Sequence, residues 1–119
     1  MPNDSSGSVR IFYPKVDREE LVSRIKNELA ELNRKLSLSK VVLFGSYAKG
    51  DYTVASDVDL LVVYKGEPEE DPFKLVKRSL DITGLEPHIY RKEEFEQNRK
   101  TLEKMIEGGI VLWERRGDS

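Results

Sequence analysis

Two short apolar runs, "KVVLF" (40–44) and "DVDLLVVY" (57–64), constrain what this chain can fold into more than any other feature. Each is short, apolar and β-branched, the first ending at Gly45 and the second near Gly66, so each reads as a buried strand. The flanking segments supply helices to cover them. From Asp17, a predicted N-cap, "REELVSRIKNELAELNRKL" carries Leu21, Ile25, Leu29, Leu32 and Leu36 at helical spacing. After the acidic loop "GEPEED", Asp71 caps and Pro72 opens a helix bearing Phe73, Val76 and Leu80. "LEPHIY" (85–90) reads as a third strand. A last helix from about Lys92 has Phe95, Leu102, Met105 and Ile106 on one side and stops at Gly108-Gly109, after which "IVLW" adds a short terminal strand. The order α-β-(short α)-β-α-β-α, without internal repeat, predicts an α+β, sandwich-like fold in which helices back one small sheet.

Composition narrows the function classes. A chain of 119 residues, 38% hydrophobic and 35% charged with net charge -2, suits one compact, well-solvated domain. The expected boundaries are a tail over 1–14, with "VRIFYP" as a short docking strand ending at Pro14, a single domain over 15–116, and a tail over 117–119. A non-specific nucleic-acid binder would be basic, so direct nucleic-acid binding is not expected. The absence of cysteine and the single histidine, His88, exclude a disulfide framework, a thiolate zinc site and a histidine cluster. Any metal would be held by oxygen. Neither a signal peptide nor a membrane-spanning run is visible, so a cytoplasmic protein is expected.

The second apolar run opens with Asp57 and Asp59. Side chains two apart on a strand point the same way, so both carboxylates would project together while Val58 and Leu60 face the opposite layer. Parallel carboxylates repel unless something positive lies between them, and without cysteine or a histidine cluster the candidate is a hard divalent cation, Mg²⁺. Phosphoryl-transfer sites use two such ions about 4 Å apart. An isolated Asp-X-Asp is more often a solvent-facing pair. Here, however, it follows Gly45-Ser46 by ten residues, and a strand ends at each site. A glycine where a strand turns into a helix lets phosphate oxygens approach main-chain N–H groups, and the Ser46 hydroxyl adds a donor. Gly50 permits a second tight turn. Lys49 brings one positive charge near a triphosphate, although a lone lysine there would otherwise be a solvated surface residue.

On these residues, "GSYAKGDYTVASDVDLLVV" resembles the signature of the minimal nucleotidyltransferases of the DNA polymerase beta superfamily, in which Gly-Ser is followed after ten residues by Asp-X-Asp. The "EEFE" at 93–96 and the Gly-Ile-Val-Leu ending extend the likeness. The resemblance implies a nucleotidyltransferase fold with a small mixed sheet, and Mg²⁺-dependent transfer of a nucleoside monophosphate, AMP from ATP, to a hydroxyl. It also implies phosphate binding by Gly45 and Ser46, and two metal ions on Asp57 and Asp59. The family pattern includes a third carboxylate, usually aspartate, on a neighbouring strand. Glu86 occupies that place and is the natural general base as well as a metal ligand. Alternation puts Glu86, His88 and Tyr90 on one face of their strand and Leu85, Pro87 and Ile89 on the other. Asp81, at a predicted helix end, is the competing carboxylate. His88 reads as a packed, hydrogen-bonded strand residue, with nucleotide or acceptor contact as the alternative, and Arg91 and Lys92 could steer phosphates.

Larger superfamily members carry extra domains for the acceptor, for which 119 residues leave no room. The resemblance therefore implies a partner: small nucleotidyltransferases of this type are similar to antitoxins paired with an all-helical HEPN-domain toxin, whose tyrosine would receive AMP in a hetero-oligomer. Two other readings stand beside it. One is a non-catalytic nucleotide-binding antitoxin that neutralises its partner by contact; the other is a stand-alone transferase acting on a small hydroxylated molecule such as an aminoglycoside.

Overall fold

The computed structural model describes residues 18–50 and 57–115. The expected tails at 1–14 and 117–119, the "VRIFYP" strand and the Asp17 cap lie outside the described residues. Within them the chain runs α1 (Arg18–Lys35), β1 (Leu38–Phe44), α2 (Ser46–Lys49), β2 (Val58–Tyr64), α3 (Pro72–Leu80), β3 (Leu85–Arg91), α4 (Lys92–Gln97), α5 (Arg99–Met105) and β4 (Ile110–Glu114). The four strands form one mixed sheet in the order β3-β2-β1-β4. β1 pairs antiparallel with both β2 and β4, whereas β2 and β3 run parallel. A parallel pair needs a crossover connection, and α3 supplies it.

The two apolar runs are the central strands, and each is covered on both faces. On one face Val41, Leu43, Val58, Leu60 and Val62 pack with Leu21, Ile25, Leu29 and Leu32 of α1 and Leu75, Val76 and Leu80 of α3. On the other, Val42, Phe44, Leu61 and Val63 pack with Phe95 of α4 and Leu102 of α5. Two layers of helix on a sheet explain why neither run alternates with polar residues. In β2 every residue except Asp59 is buried. Glu19 and Glu20 in the first turn of α1 and Arg34 and Lys35 in its last complement the helix dipole. Among the described residues no helix is long and apolar enough to cross a membrane.

Several expectations shift. β1 starts at Leu38 rather than Lys40: Leu38 pairs with Tyr64 of β2, its N–H is met by Asn33 Oδ1 at 2.9 Å, and Ser39 is buried. Phe73 stands on the outer side of α3, 47% exposed, and Leu75 takes the inward position beside Val76. The predicted α3 start holds: the Asp71 carboxylate accepts the Phe73 N–H at 2.9 Å ahead of Pro72. The single last helix is two. At Asn98 the backbone leaves helical geometry (φ -116°, ψ 25°), and the Asn98 amide donates to the Glu94 carbonyl at 2.9 Å, the local competition with the main chain that disfavours asparagine inside helices. Phe95 and Leu102 still reach the same core cluster.

Candidate active site

The site begins where β1 meets α2. Gly45 adopts φ 81° and ψ -151°, a conformation open essentially to glycine alone, and the chain then closes one short helical turn, with Lys49 N–H donating to the Gly45 carbonyl at 3.1 Å. Gly50 ends the turn in the left-handed region, its N–H on the Ser46 carbonyl at 2.9 Å. Tyr47 and Ala48 are buried, leaving Ser46 half-exposed and Lys49 exposed. Arg18 donates to the Ala48 carbonyl at 2.8 Å and so ties α2 to the start of α1.

Gly45 is required sterically as well. A Cβ placed there would collide with Oδ2 of Asp59 and stand 3.3 Å from its Cγ. The turn and the carboxylate of the second strand are therefore in contact across the sheet, as the register of Phe44 with Asp59 requires. On the other side, Asp59 is in register with Glu86 of the parallel strand β3, so both side chains leave the same face. That face carries α4 and α5 farther along the strands, over Leu61 and Val63, and leaves the Asp59 end outside the apolar cluster. β3 is an edge strand, which accommodates the missing N–H of Pro87.

The Asp59 side chain is 30% exposed, and its Oδ1 meets Nε2 of His88 at 3.4 Å. The His88 ring lies 5.1 Å from that of Phe44, tilted by 60°. Glu86 is exposed. Asp57 is exposed too and stands immediately before β2, whose first residue is Val58. No three histidine, aspartate or glutamate side chains form a ready-made metal cage among the described residues. The donor set still has the chemistry of a hard cation site: three carboxylates, two of them in register on one sheet face. Asp81 belongs to the opposite layer. It ends α3, whose apolar side packs with α1, it holds φ 48°, and its carbonyl accepts from Arg24 of α1 at 3.1 Å.

Arg91 and Lys92 are engaged elsewhere. Hydrogen bonds from Arg91 to the Tyr64 hydroxyl and then to Glu67, 3.1 Å away, raise the guanidinium pKa above its ordinary value, and Lys92 lies 3.9 Å from Glu96. A cleft of about 420 Å³ under the acidic loop, lined by Arg34, Glu67, Pro68 and Leu75 among others, does not include Asp59. Neither does a smaller one of about 180 Å³ between Lys40, Phe95 and Arg99. The sequence reading missed the His88–Asp59 contact and the role of Phe44 behind it. Alternation already placed His88 on the face of Glu86, and the resemblance placed Glu86 on a strand next to the aspartates; what was absent was the parallel register, which sets His88 one position beyond Glu86 on that face and within reach of Asp59.

The model of the family described as nucleotidyltransferase domain matches residues 22–111. A protein of Methanocaldococcus jannaschii named "putative protein adenylyltransferase" is 36% identical over 80 residues, 61% of this chain and 79% of that one. A second protein of that name from the same organism is 42% identical over 48 residues, 40% and 47% of the two chains. Among solved structures, a "putative nucleotidyltransferase" from Sulfolobus solfataricus aligns with TM-score 0.57 and 24% identity over 84% of this chain and 86% of that one. A toxin–antitoxin structure with AMP-PNP aligns with TM-score 0.52 and 22% identity over 78% and 76%. These two share the fold, and the mixed four-stranded sheet with its helices is a nucleotidyltransferase fold. With the family model matching three quarters of its length, the chain belongs to the nucleotidyltransferase domain family.

Proposed function

We propose that this chain transfers AMP from ATP, with Mg²⁺, to a hydroxyl of a protein partner, and that the partner is a helical HEPN-domain toxin silenced by modification of a tyrosine. The observation that carries the transferase chemistry is the position of Asp59: the single half-exposed residue in an otherwise buried strand, pressed against the Gly45 turn and in register with Glu86. Protein as acceptor and a toxin as partner are supported by the names of the relatives and by the toxin–antitoxin structure that shares the fold.

The roles follow from the chemistry of each group. Gly45 gives a phosphate close approach to the main chain, Ser46 adds a hydroxyl donor and Lys49 a charge. Asp57, Asp59 and Glu86 would hold two Mg²⁺ ions, which when bound neutralise the triphosphate and acidify the attacking hydroxyl. Glu86, exposed at the open end of the sheet, takes the proton of that hydroxyl. The hydroxyl oxygen bonds to the α-phosphorus, the bond from that phosphorus to the bridging oxygen breaks, and pyrophosphate leaves. Asp81, in the other layer, takes no part.

A second reading, a nucleotide-binding antitoxin that acts by contact with little turnover, is favoured by one observation: no three acidic or histidine side chains form a ready-made metal cage among the described residues. Incubating the chain with α-labelled ATP, Mg²⁺ and the product of a neighbouring reading frame separates the two. Label on the partner supports transfer; full neutralisation of the partner without label supports contact.

A further inference from the structure

Asp59 is constrained at both carboxylate oxygens. Oδ2 fills the space where any residue but glycine at position 45 would place its Cβ, and Oδ1 faces Nε2 of His88 at 3.4 Å. A carboxylate torsion is broad and nearly two-fold, so an aspartate with one free oxygen would sample many orientations. With the carboxylate oxygen as acceptor, it is the tautomer carrying its proton on Nε2 that makes this contact a hydrogen bond. The imidazole is itself held, since its ring lies against Phe44, a buried residue in register with Asp59 on the other side. His88 and Asp59 are each about one-third exposed, at 34% and 30%, so the contact is neither sealed in the core nor loose on the surface.

We propose that His88 is a positioning residue: its Nε2–H holds Asp59 in one orientation, so that the carboxylate meets a divalent cation without first being ordered. The proposal rests on the reading of Asp59 as a metal ligand. Packing alone would not need a histidine, because any flat ring could lie on Phe44; what histidine adds is a donor aimed at the carboxylate. Removing the partner that orients a metal ligand typically weakens metal binding by about 10- to 100-fold.

Mn²⁺ titrated into the full-length chain in the presence of ATP, followed by the enhancement of water-proton relaxation that protein-bound Mn²⁺ gives over Mn²⁺-ATP alone, tests this. His88→Phe keeps the ring on Phe44 and removes the donor, and should weaken Mn²⁺ binding by about tenfold or more, whereas His88→Gln, which returns an N–H at similar reach, should bind within about threefold of the native chain. Thermal melts of both should stay close to the native curve. If His88→Phe does not fold, His88→Met against His88→Gln makes the same comparison at matched size. Native Mn²⁺ affinity in the folded Phe or Met variant, or equal weakness in the Gln variant, would overturn the proposal. Asp59→Asn separates the layers of inference: if it loses Mn²⁺ while His88→Phe does not, the positioning role alone fails, and if it binds Mn²⁺ normally the ligand assignment fails with it.

Discussion

Replacing Gly45 by alanine attacks the site at its tightest point, and the structure gives two separate costs. The backbone at φ 81°, ψ -151° lies in a region essentially closed to residues with a Cβ, at about 1–3 kcal/mol, and no side-chain movement relieves this. The added methyl also collides with Oδ2 of Asp59. The carboxylate is the movable partner, so the collision is relieved by turning Asp59 off its preferred rotamer, at about 0.5–1.5 kcal/mol. Gly45→Ala should thus destabilise the chain by about 1.5–4.5 kcal/mol, a large part of the roughly 5–15 kcal/mol that typical domains possess. Transfer should fall further than stability, because the carboxylate it needs has been displaced. Urea unfolding of Gly45→Ala, Asp59→Ala and the double variant separates the two costs. The double variant should be more stable than the sum of the singles by about 0.5–1.5 kcal/mol, the relieved collision, while the backbone cost persists. Strict additivity, or an alanine variant as stable and active as the native chain, would refute the contact between the turn and Asp59.

Glu86→Gln, at an exposed position, should leave the melting temperature unchanged and slow transfer by about 100-fold or more, with Mg²⁺-ATP still bound within a few fold. Asp81→Asn, at a left-handed helix end that asparagine tolerates, should transfer normally; its collapse would move the third carboxylate to the α1/α3 layer. Ser46→Ala and Lys49→Ala should each weaken nucleotide binding by about tenfold, as loss of one charge-assisted contact does, measured by calorimetry on folded protein. Leu29→Ala, at a position 1% exposed in the main core, should cost about 2–5 kcal/mol in urea unfolding and act on transfer only through the folded fraction.

Much of the frame was legible because its signals are local. Helical spacing marked the buried side of α1 down to Leu36, continuous apolar runs marked β1 and β2, and Asp71-Pro72 marked the start of α3. Glycines at 45 and 50 marked the turn, and both carry positive φ. What escaped depends on which strands pair. Nothing in "LEPHIY" says that it runs parallel to β2 with Glu86 opposite Asp59, so the one histidine, read as packed and hydrogen-bonded, had no named partner for its ring nitrogen, which the register shows to be Asp59. The break at Asn98 escaped for a different reason: the apolar pattern continues through it, and what marks it is local, a backbone outside helical geometry with the Asn98 amide on the Glu94 carbonyl. Asp57 was assigned to the strand on alternation, yet the first paired residue of β2 is Val58.

The central claim is that Asp59, set between the Gly45 turn and Glu86, serves nucleotidyl transfer and not the fold. The most direct measurement is transfer of label from α-labelled ATP to the partner protein by the native chain and by Asp59→Asn, with a thermal melt of each. Asp59→Asn, which keeps the shape of a side chain already 30% exposed, should melt close to the native temperature and transfer no detectable label. A folded Asp59→Asn chain that labels the partner at the native rate would contradict it.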